Sequence, residues 1–242
     1  LGMAVSEEQG GLGLGALEHC LLMEEVGRTL CVEPLWAVGV LSAQLLAALP
    51  SGPQVDDLLQ GLIAGEQRPV LAHGEAAARG DVAHLATEAR PDGAQRWRLY
   101  GEKVQVVAGN AATGYMVSAR TAGQLGEAHG ISLFWVPLHA AGLQRRDVRL
   151  IDNRWAAHLT FDGVVVSQAE LLAPLHAAHA PLAQALAHAT VALCAEALGL
   201  MDRALWITRD YLKTREQFGA PLASFQSLQH RMSEMLIELE LS

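Results

Sequence analysis

The segment from Arg215 to Met232 carries the densest set of side chains suited to binding a charged ligand. Arg215 stands at the end of a long helical pattern, Phe218 is followed by Gly219, and a Gln-rich stretch begins at Gln226. An arginine can bind a phosphate through two parallel hydrogen bonds, and an aromatic ring offers a flat apolar face. The segment could therefore form a nucleotide site, although its spacing alone favours a capped helix–loop–helix joint.

A glycine cluster near the start of the chain contains a G-x-G-x-x-A match within residues 10–16. A dinucleotide site needs a buried strand before such a motif and a βαβ unit around it. Here the polar residues SEEQ precede the cluster and helical patterns follow it. We therefore exclude a Rossmann site and expect a flexible turn before a helix.

The ten histidines suggest a metal site only at His176 and His179, which are three positions apart. Neither has a carboxylate or thiolate at ligand spacing, and Pro181 disturbs the helical face that they would share. We interpret both as structural or surface residues. No nucleophile elbow, Walker loop or H-E-x-x-H motif is present either.

Composition excludes several classes of protein. With 51% hydrophobic and 18% charged residues, the chain is not of the disordered class, and a net charge of −9 argues against nucleic-acid or anionic-membrane partners. Each apolar stretch is interrupted before the ~18–20 residues that a membrane-spanning helix needs, so we expect none. The three cysteines (Cys20, Cys31 and Cys194) form no pair, and no signal peptide is visible, which indicates a cytoplasmic protein.

Three blocks of different periodicity follow one another along the chain. Residues 17–31, 35–49 and 55–64 predict helices. From Arg68 to Leu171, short runs rich in Val, Trp, Tyr and Phe alternate with turn residues, which predicts about seven antiparallel strands in a barrel or two-sheet domain.

The remainder of the chain is again helical. Pro181 suits the start of a helix of roughly 35 residues that runs toward Gly219, with an Ala/Leu-rich part typical of a helix inside a bundle. Ser224 is predicted to cap a final helix. The apolar stripe of that helix comprises Phe225, Leu228, Met232, Met235, Leu236 and Leu239.

The predicted fold class is therefore α+β with several domains. It has an N-terminal helical domain (residues 1–67), a middle β-domain (68–172) and a C-terminal helical domain (173–242). Because the chain begins without Met and ends inside a helical pattern, we expect it to be truncated at both ends.

The joint after the long helix resembles the R-x-Q-F-G-x-P-[IL]-x-x-F-Q-x-x-Q-H signature of the acyl-CoA dehydrogenase family. Further stretches resemble the same family in the same order: SEEQGGLGLG, EEVGRT, GISLFWVPLHAAGL, LTFDGVVVSQAELL and AEALGLMDRAL. The resemblance covers essentially the whole chain. The family also has the same architecture, in which a barrel lies between two groups of helices. The chain is thus identified as a member of that family.

The resemblance implies an FAD-dependent enzyme that desaturates an acyl-CoA thioester between Cα and Cβ. A glutamate of such enzymes removes the α-proton, which the hydrogen-bonded thioester carbonyl acidifies, while a hydride leaves to the flavin. Members form dimers or tetramers, and the joint reaches the FAD of a neighbouring subunit. At the matching positions, the resemblance implies that Arg215 contacts the FAD pyrophosphate and that Gln226 lies on the adenosine part. It places Gln217 and Phe218 beside them.

The sequence departs from the family where the flavin ring is bound. The family's A-L-T-E-P-x-A-G-S-D stretch aligns with AHGEAAARGD, so that Gly74 replaces a threonine and Gly80 a serine. Its K-x-[WFY]-I-[ST] strand aligns with KVQVV, which places Gln105 at the aromatic position and Val107 at the hydroxyl position. Each change removes a donor or a stacking face worth about 1 kcal/mol. The sequence therefore predicts that the chain does not hold the isoalloxazine ring in the usual way.

The catalytic base is absent from the matched positions. Some members carry it on the long helix, where this chain has Ala189 and Thr190. Glu196, about two turns further along, is interpreted as a member of a structural ion pair. Most members carry the base on a later helix, so we expect it beyond Ser242 or on a partner subunit.

Several segments, among them VEPL, SARTAG, ALCAEA and DYLKTR, resemble the small subunits of the pimeloyl-CoA dehydrogenase subfamily. Such a subunit is expected to pair with a large one, so the chain could supply Arg215 and Gln226 to an FAD whose ring the partner holds. The alternative is a non-catalytic subunit that only completes the assembly. A flavin monooxygenase or oxidase of the same fold is a third alternative.

Overall fold

The computed structural model describes all 242 residues, Leu1–Ser242. By its internal contacts the chain forms two compact units, each built from two separate stretches. Unit 1 comprises Leu1–Ala16 and Val32–Ala189, and unit 2 comprises Leu17–Cys31 and Thr190–Ser242. These units do not follow the three sequence segments, whose boundaries after residues 67 and 172 stay a prediction.

The elements confirm the order helices, sheet, helices. The helices are α1 (Ala16–Thr29), α2 (Ala43–Ala48), α3 (Pro53–Ile63), α4 (His179–Thr214) and α5 (Gln226–Leu241). The strands are β1 (Pro69–Ala72), β2 (Glu88–Pro91), β3 (Arg96–Val107), β4 (Gly114–Arg120), β5 (Ile131–Pro137), β6 (Leu143–Arg149), β7 (Trp155–Ser167), β8 (Glu216–Gln217) and β9 (Ala220–Pro221). Short 3-10 turns cover Glu7–Gln9, Gln168–Glu170 and Leu222–Ser224.

The sheet of unit 1 has the seven strands that the sequence predicts, but its pairing is mixed. The order is β1-β4-β2-β3-β7-β6, and β5 pairs with β4. Four of the pairings are antiparallel, whereas β4 runs parallel to both β1 and β2. The purely antiparallel expectation is therefore wrong for these two pairings. The chain between β1 and β4 contains β2 and β3, and it serves as the long crossover that a parallel pair requires without a helix.

The segment before α2 differs from the predicted continuous α-helix. Residues Trp36–Ser42 form a π-helix that runs directly into α2, and the Ser42 hydroxyl donates to the Ala37 carbonyl at 3.0 Å. A π-helical turn is rare and occurs mostly as a single turn, often at functional sites. All residues from Ala37 to Ser42 are buried, so the element is part of the core of unit 1.

The glycine-rich loop before α1 is more ordered than the expected flexible turn. Its backbone N–H groups donate to carbonyls of the preceding residues, including Gly13 to Val5 at 2.8 Å and Leu14 to Met3 at 3.0 Å. Ser6 caps the Glu7–Gln9 turn, and Val5 is fully buried. The expectation of flexibility is wrong because a dense set of short-range hydrogen bonds fixes the loop.

In unit 2, α1 and α4 cross at two glycines. A Cβ atom on Gly199 would lie 1.8 Å from the Glu24 carbonyl oxygen, and one on Gly27 would lie 1.9 Å from the Glu196 carbonyl oxygen. Only glycine allows two backbones to approach so closely. Beside the crossing, Arg28 Nε lies 3.1 Å from a carboxylate oxygen of Asp202.

The start of α4 and that of α5 differ from the sequence prediction. Helix α4 has 36 residues and begins at His179, so Pro181 is its third residue. Phe225, and not Ser224, precedes α5, and no side chain caps that helix. The Ser224 hydroxyl instead donates to the Pro221 carbonyl at 2.7 Å, within the 3-10 turn before the helix. No residue of α5 is fully buried; along its apolar stripe Leu228, Met232 and Leu239 are half-buried, while Met235 and Leu236 are exposed.

By length and composition alone, α4 would suffice to cross a membrane, and 22% of its most apolar 18-residue window is buried. The expectation that no stretch reaches this length is therefore too strict, because the mean hydropathy of 18 residues stays high even when a few of them are polar. One such helix is weak support for a membrane span, since the core helices of globular proteins pass the same test.

Candidate functional site

A bulge in β3 shapes one of the cavities of unit 1. The register of β3 against β7 shifts between Lys103 and Val106, so that Val104 and Gln105 lie outside the ladder. Gln105 has a φ of 52°, and the Val104 N–H donates to the Gly74 carbonyl at 2.8 Å. Bulges of this kind re-aim side chains next to binding sites. The bulge therefore joins β3 to the loop that follows β1.

A cavity of about 260 Å³ lies at this point. Its walls come from the π-helix, β1, the loop after β1, the bulge of β3 and Leu186 near the start of α4. Gly74, Gly80, Gln105 and Val107 all line it. The structure thus gathers in one place the four positions at which the sequence departs from the family.

The residues present do not fit an isoalloxazine ring held in the family's way. Gly74 and Val107 carry no side-chain hydrogen-bond donor, and Gln105 supplies no aromatic face. The cavity is also slightly smaller than the ~300–1,000 Å³ of pockets that enclose drug-sized ligands.

A buried ion pair lies beside the cavity, and no sequence pattern predicts that its two partners meet. Lys103 is fully buried, and its Nζ lies 2.8 Å from Glu75 Oε1 and 3.2 Å from the His73 carbonyl oxygen. The other donors to the Glu75 carboxylate are the Thr87 hydroxyl at 2.6 Å, the Thr87 N–H at 3.0 Å and the Ala86 N–H at 2.7 Å. Oε1 of Glu75 therefore accepts three hydrogen bonds and Oε2 accepts one.

The environment of this pair determines its ionisation. Burial alone would raise the pKa of Glu75, but the Lys103 charge and the four hydrogen bonds hold that pKa below its usual value. Burial lowers the pKa of Lys103 to about 8, against the attraction of Glu75. At neutral pH the two groups form an ion pair with no net charge.

His73 also lines the cavity and is uncharged at neutral pH. Burial, followed by the charge of Lys103, lowers the pKa of His73 from 6.5 to about 4. Its Nδ1 lies 2.8 Å from the Ser118 hydroxyl oxygen. The imidazole is therefore held as a neutral hydrogen-bonding group.

This lowered pKa predicts that stability falls as the pH drops from 6.5 to about 4. In that window the unfolded chain protonates His73 while the folded chain does not, so protons favour unfolding; above pH 6.5 this stability is fully present. The loss amounts to about 3 kcal/mol over the window. The free energy of unfolding is measured with urea at a series of pH values. Its slope against pH in this window should be smaller for His73→Gln, and it should equal the parental slope for His230→Gln, a change on the exposed face of α5. Equal slopes in the two variants would contradict the lowered pKa of His73.

The predicted nucleotide-binding residues lie together on the joint between α4 and α5, in unit 2. Strands β8 and β9 form a tight hairpin through the pair Gln217 and Ala220. Phe218 stands at its tip with a φ of 55°, is 94% exposed, and meets Phe225 edge to face at 6.2 Å. Arg215 leads into the hairpin, and its carbonyl accepts from the Leu222 N–H at 2.8 Å.

Arg215, Gln217, Phe218 and Gln226 are all exposed. A cation, an aromatic ring and two amides displayed on one ordered turn fit the pyrophosphate and base of a dinucleotide. No described contact joins Arg215 to Gln226, so the two would act on separate parts of such a ligand. The joint thus displays side chains of the types that bind a nucleotide, and its contact with FAD stays a prediction, whereas the cavity beside the β3 bulge does not fit the ring.

The histidines considered as metal ligands have other neighbours. His176 Nδ1 lies 2.8 Å from the Thr121 hydroxyl oxygen, and its ring centre lies 5.5 Å from that of His129. The His176 N–H donates to the Ser132 hydroxyl at 2.9 Å. No group of three or more His, Cys, Asp or Glu side chains is placed to hold a metal ion. His176 therefore belongs to a hydrogen-bonded loop network.

Three models of one protein family match this chain in order. The models are "Acyl-CoA dehydrogenase, N-terminal domain" over residues 1–66, "Acyl-CoA dehydrogenase, middle domain" over residues 71–164, and "Acyl-CoA dehydrogenase, C-terminal domain" over residues 180–242. Mitochondrial isovaleryl-CoA dehydrogenase of Solanum tuberosum is 30% identical over 253 residues, which cover 100% of this chain and 60% of the relative.

Solved structures of the same class superpose on nearly the whole chain. A steroid ACAD variant designated Tcur3481-Tcur3483 is 38% identical with a TM-score of 0.82, and the match covers 99% of this chain and 61% of that one. PigA with FAD and proline is 26% identical with a TM-score of 0.88, and the match covers 99% of this chain and 64% of the PigA chain. The chain spans about 60% of the length of the curated relatives that it matches. In sequence and in fold, this chain belongs to the acyl-CoA dehydrogenase family.

Proposed function

We propose that the chain is one subunit of a hetero-oligomeric, FAD-dependent acyl-CoA dehydrogenase. It contributes the joint between α4 and α5 to a flavin nucleotide whose ring is held mainly by a partner subunit. FAD supplies the acceptor for the electrons removed from the Cα–Cβ bond of an acyl-CoA thioester. The catalytic base lies on the partner or outside these 242 residues. The cytoplasmic location stays a prediction.

The observation that carries this proposal is the contrast between the two halves of a flavin site. The joint displays Arg215, Phe218 and Gln226 on an ordered, exposed turn. The cavity at the positions aligned with the ring site offers no side-chain donor at Gly74 or Val107. A chain that could bind the nucleotide but not the ring needs a second chain to complete the site.

Two relatives support the cofactor and the assembly. PigA, which shares the fold over 99% of this chain, is solved with FAD. The steroid ACAD that is 38% identical carries a double designation, Tcur3481-Tcur3483, which agrees with an enzyme built from two components. The likeness to the small subunit of pimeloyl-CoA dehydrogenase stays a prediction.

The same loss of the ring site also favours a second candidate, a structural subunit without any flavin contact. In that case Arg215 and Phe218 would be exposed only because they form an interface with another chain. A same-fold flavin monooxygenase or oxidase has no particular support in the site. Oxygen consumption that depends on reduced flavin would be its signature.

The test is Arg215→Ala in the complex co-expressed with its large subunit. We expect the flavin content per complex, read from the visible absorption spectrum, to fall severalfold because a charge-assisted contact to the pyrophosphate contributes about 1.5–3 kcal/mol. Arg231→Ala is the matched control, because Arg231 is also exposed, lies on α5 and pairs with Glu234.

Unchanged flavin content and turnover in the Arg215→Ala complex would contradict the proposal and leave the structural subunit. The protein purified alone gives a second measurement. We expect it to contain no bound flavin, whereas one flavin per chain would mean that the altered ring site still works.

A further inference from the structure

Strand β6 forms a free edge of the seven-stranded sheet. It pairs with β7 alone and stands last in the strand order. All residues from Leu143 to Arg149 keep one register against β7, without a bulge or a proline. None of them is buried, so the edge is open to solvent along its whole length. Bulges and prolines are common means of blocking such an edge, and β6 has neither.

The ladder between β6 and β7 leaves the backbone of every second residue unpaired. At one end of β6 the Asp162 N–H donates to the Gly142 carbonyl at 2.9 Å, and at the other end the Leu150 N–H donates to the carbonyl of residue 154 at 2.8 Å. Because hydrogen-bonded pairs alternate along an antiparallel ladder, these two bonds place the bonded pairs at the even-numbered residues of β6. The odd-numbered residues therefore direct their backbone N–H and C=O groups away from β7: Arg145, Asp147 and Arg149.

The side chains of this edge are basic, although the net charge of the chain is −9. The stretch of residues 143–154 contains four arginines and two aspartates. On β6 itself, Arg145 Nε lies 3.1 Å from a carboxylate oxygen of Asp147. The guanidinium groups of Arg146 and Arg149 contact a histidine ring and an asparagine amide instead, and they form no ion pair. Two positive charges of the edge therefore have no acidic partner.

These charges determine which kind of strand can pair with β6. Arg145 and Arg149 lie on one face of the sheet and Arg146 lies on the other, because side chains alternate along a strand. A second copy of β6 would bring three arginines against three others, and like charges on paired strands are destabilising. An acidic segment would instead place carboxylates opposite the same guanidinium groups on either face.

We propose that the free edge of β6 binds an extended, acidic segment of another polypeptide as an eighth strand of the sheet. Main-chain hydrogen bonds to the outward groups of the odd-numbered residues supply the affinity, and the arginines select carboxylate side chains. The inference goes beyond the proposed function, because the edge contains none of the residues assigned to the flavin nucleotide and its test requires no FAD.

The test titrates the purified full chain into a dye-labelled peptide of eight residues in which glutamate and valine alternate, and fluorescence anisotropy gives the Kd. Two matched peptides separate the contributions of backbone and charge. One carries a methyl group on every backbone nitrogen, so it keeps the charge and loses the ladder donors, and in the other lysine replaces glutamate. We expect the Kd of each to be at least tenfold higher than that of the acidic peptide.

Two substitutions of Asp147 set charge against backbone. Asp147→Asn removes a negative charge from the edge and should lower the Kd about twofold. Asp147→Pro removes the same charge together with an outward N–H, and proline is tolerated at an edge where the N–H faces solvent. It should raise the Kd about fivefold, because one hydrogen bond to the added strand is lost.

A pair of arginine variants tests the selection of carboxylates. Arg149→Gln should raise the Kd about twofold to fivefold. Arg90→Gln makes the same change at an exposed arginine of β2 and should leave the Kd unchanged. Circular dichroism of each variant verifies that the chain is folded.

Several results would overturn the inference. They are a methylated peptide that binds as tightly as its parent, an Asp147→Pro protein that binds more tightly than Asp147→Asn, and equal Kd values for Arg149→Gln and Arg90→Gln. Absence of peptide binding would overturn it as well. A sedimentation coefficient that falls in Asp147→Pro would then identify a second copy of the chain as the occupant of the edge.

Discussion

The substitution Gly199→Ala should lower the free energy of unfolding by about 3 kcal/mol. A Cβ atom there would lie 1.8 Å from the Glu24 carbonyl oxygen, so α1 and α4 would have to separate. The sign of the effect is informative. Alanine is favoured over glycine by ~1 kcal/mol inside a helix, so the same change would stabilise a helix without a close neighbour. Urea unfolding followed by circular dichroism measures the difference.

Gly27→Ala should have a similar effect, because its Cβ atom would meet the Glu196 carbonyl oxygen at 1.9 Å. Gly52→Ala is the matched control, since its backbone is extended and nothing lies within 4 Å of the added atom. We expect the control to change stability by less than about 1 kcal/mol. A Gly199→Ala protein more stable than the parent would disprove the close crossing.

The substitution Lys103→Met should destabilise unit 1 by about 3–5 kcal/mol. It removes the only charged partner of Glu75, 2.8 Å away, and leaves a carboxylate next to a fully buried side chain. Methionine has a similar length, so the change in packing is small and the uncompensated charge dominates. Thermal and urea unfolding at neutral pH give the magnitude.

A double-mutant cycle separates the ion pair from the packing. Glu75→Gln added to Lys103→Met should recover a large part of the lost stability, because the amide carries no charge that needs a partner. If the two effects simply add, Lys103 stabilises the sheet through its aliphatic chain and not through Glu75.

The helical parts of the fold follow from patterns that the sequence contains within short windows. Helix α4 was predicted within two residues at its start, because its apolar and alanine-rich sequence favours a helix along its whole length. The number of strands also followed from the alternation of apolar runs and turns. The parallel pairing of β1 with β4 did not, because it joins residues 45 positions apart, such as Pro69 and Gly114, and no local signal specifies it.

The candidate site was predictable to the extent that a single segment encodes it. Arg215, Gln217, Phe218 and Gln226 lie within one loop and its flanking helices, so they remain together in the structure. The pairing of Lys103 with Glu75 and the position of Trp36 at the wall of a cavity depend on packing between separate elements. The residue types alone do not indicate that the buried Trp36 N–H has no acceptor in the protein, since a buried tryptophan usually has its donor paired.

The close crossing of α1 and α4 imposes an order on biosynthesis. Arg28 and Asp202 are separated by 174 positions, so a ribosome that adds ~5–20 residues per second needs roughly ten to thirty seconds to supply the partner of α1. During that time the sheet of unit 1 can be completed, while α1 waits as an amphipathic helix without its neighbour. Of the two units, unit 2 is consequently the second to close, and until then the apolar face of α1 is available to a chaperone.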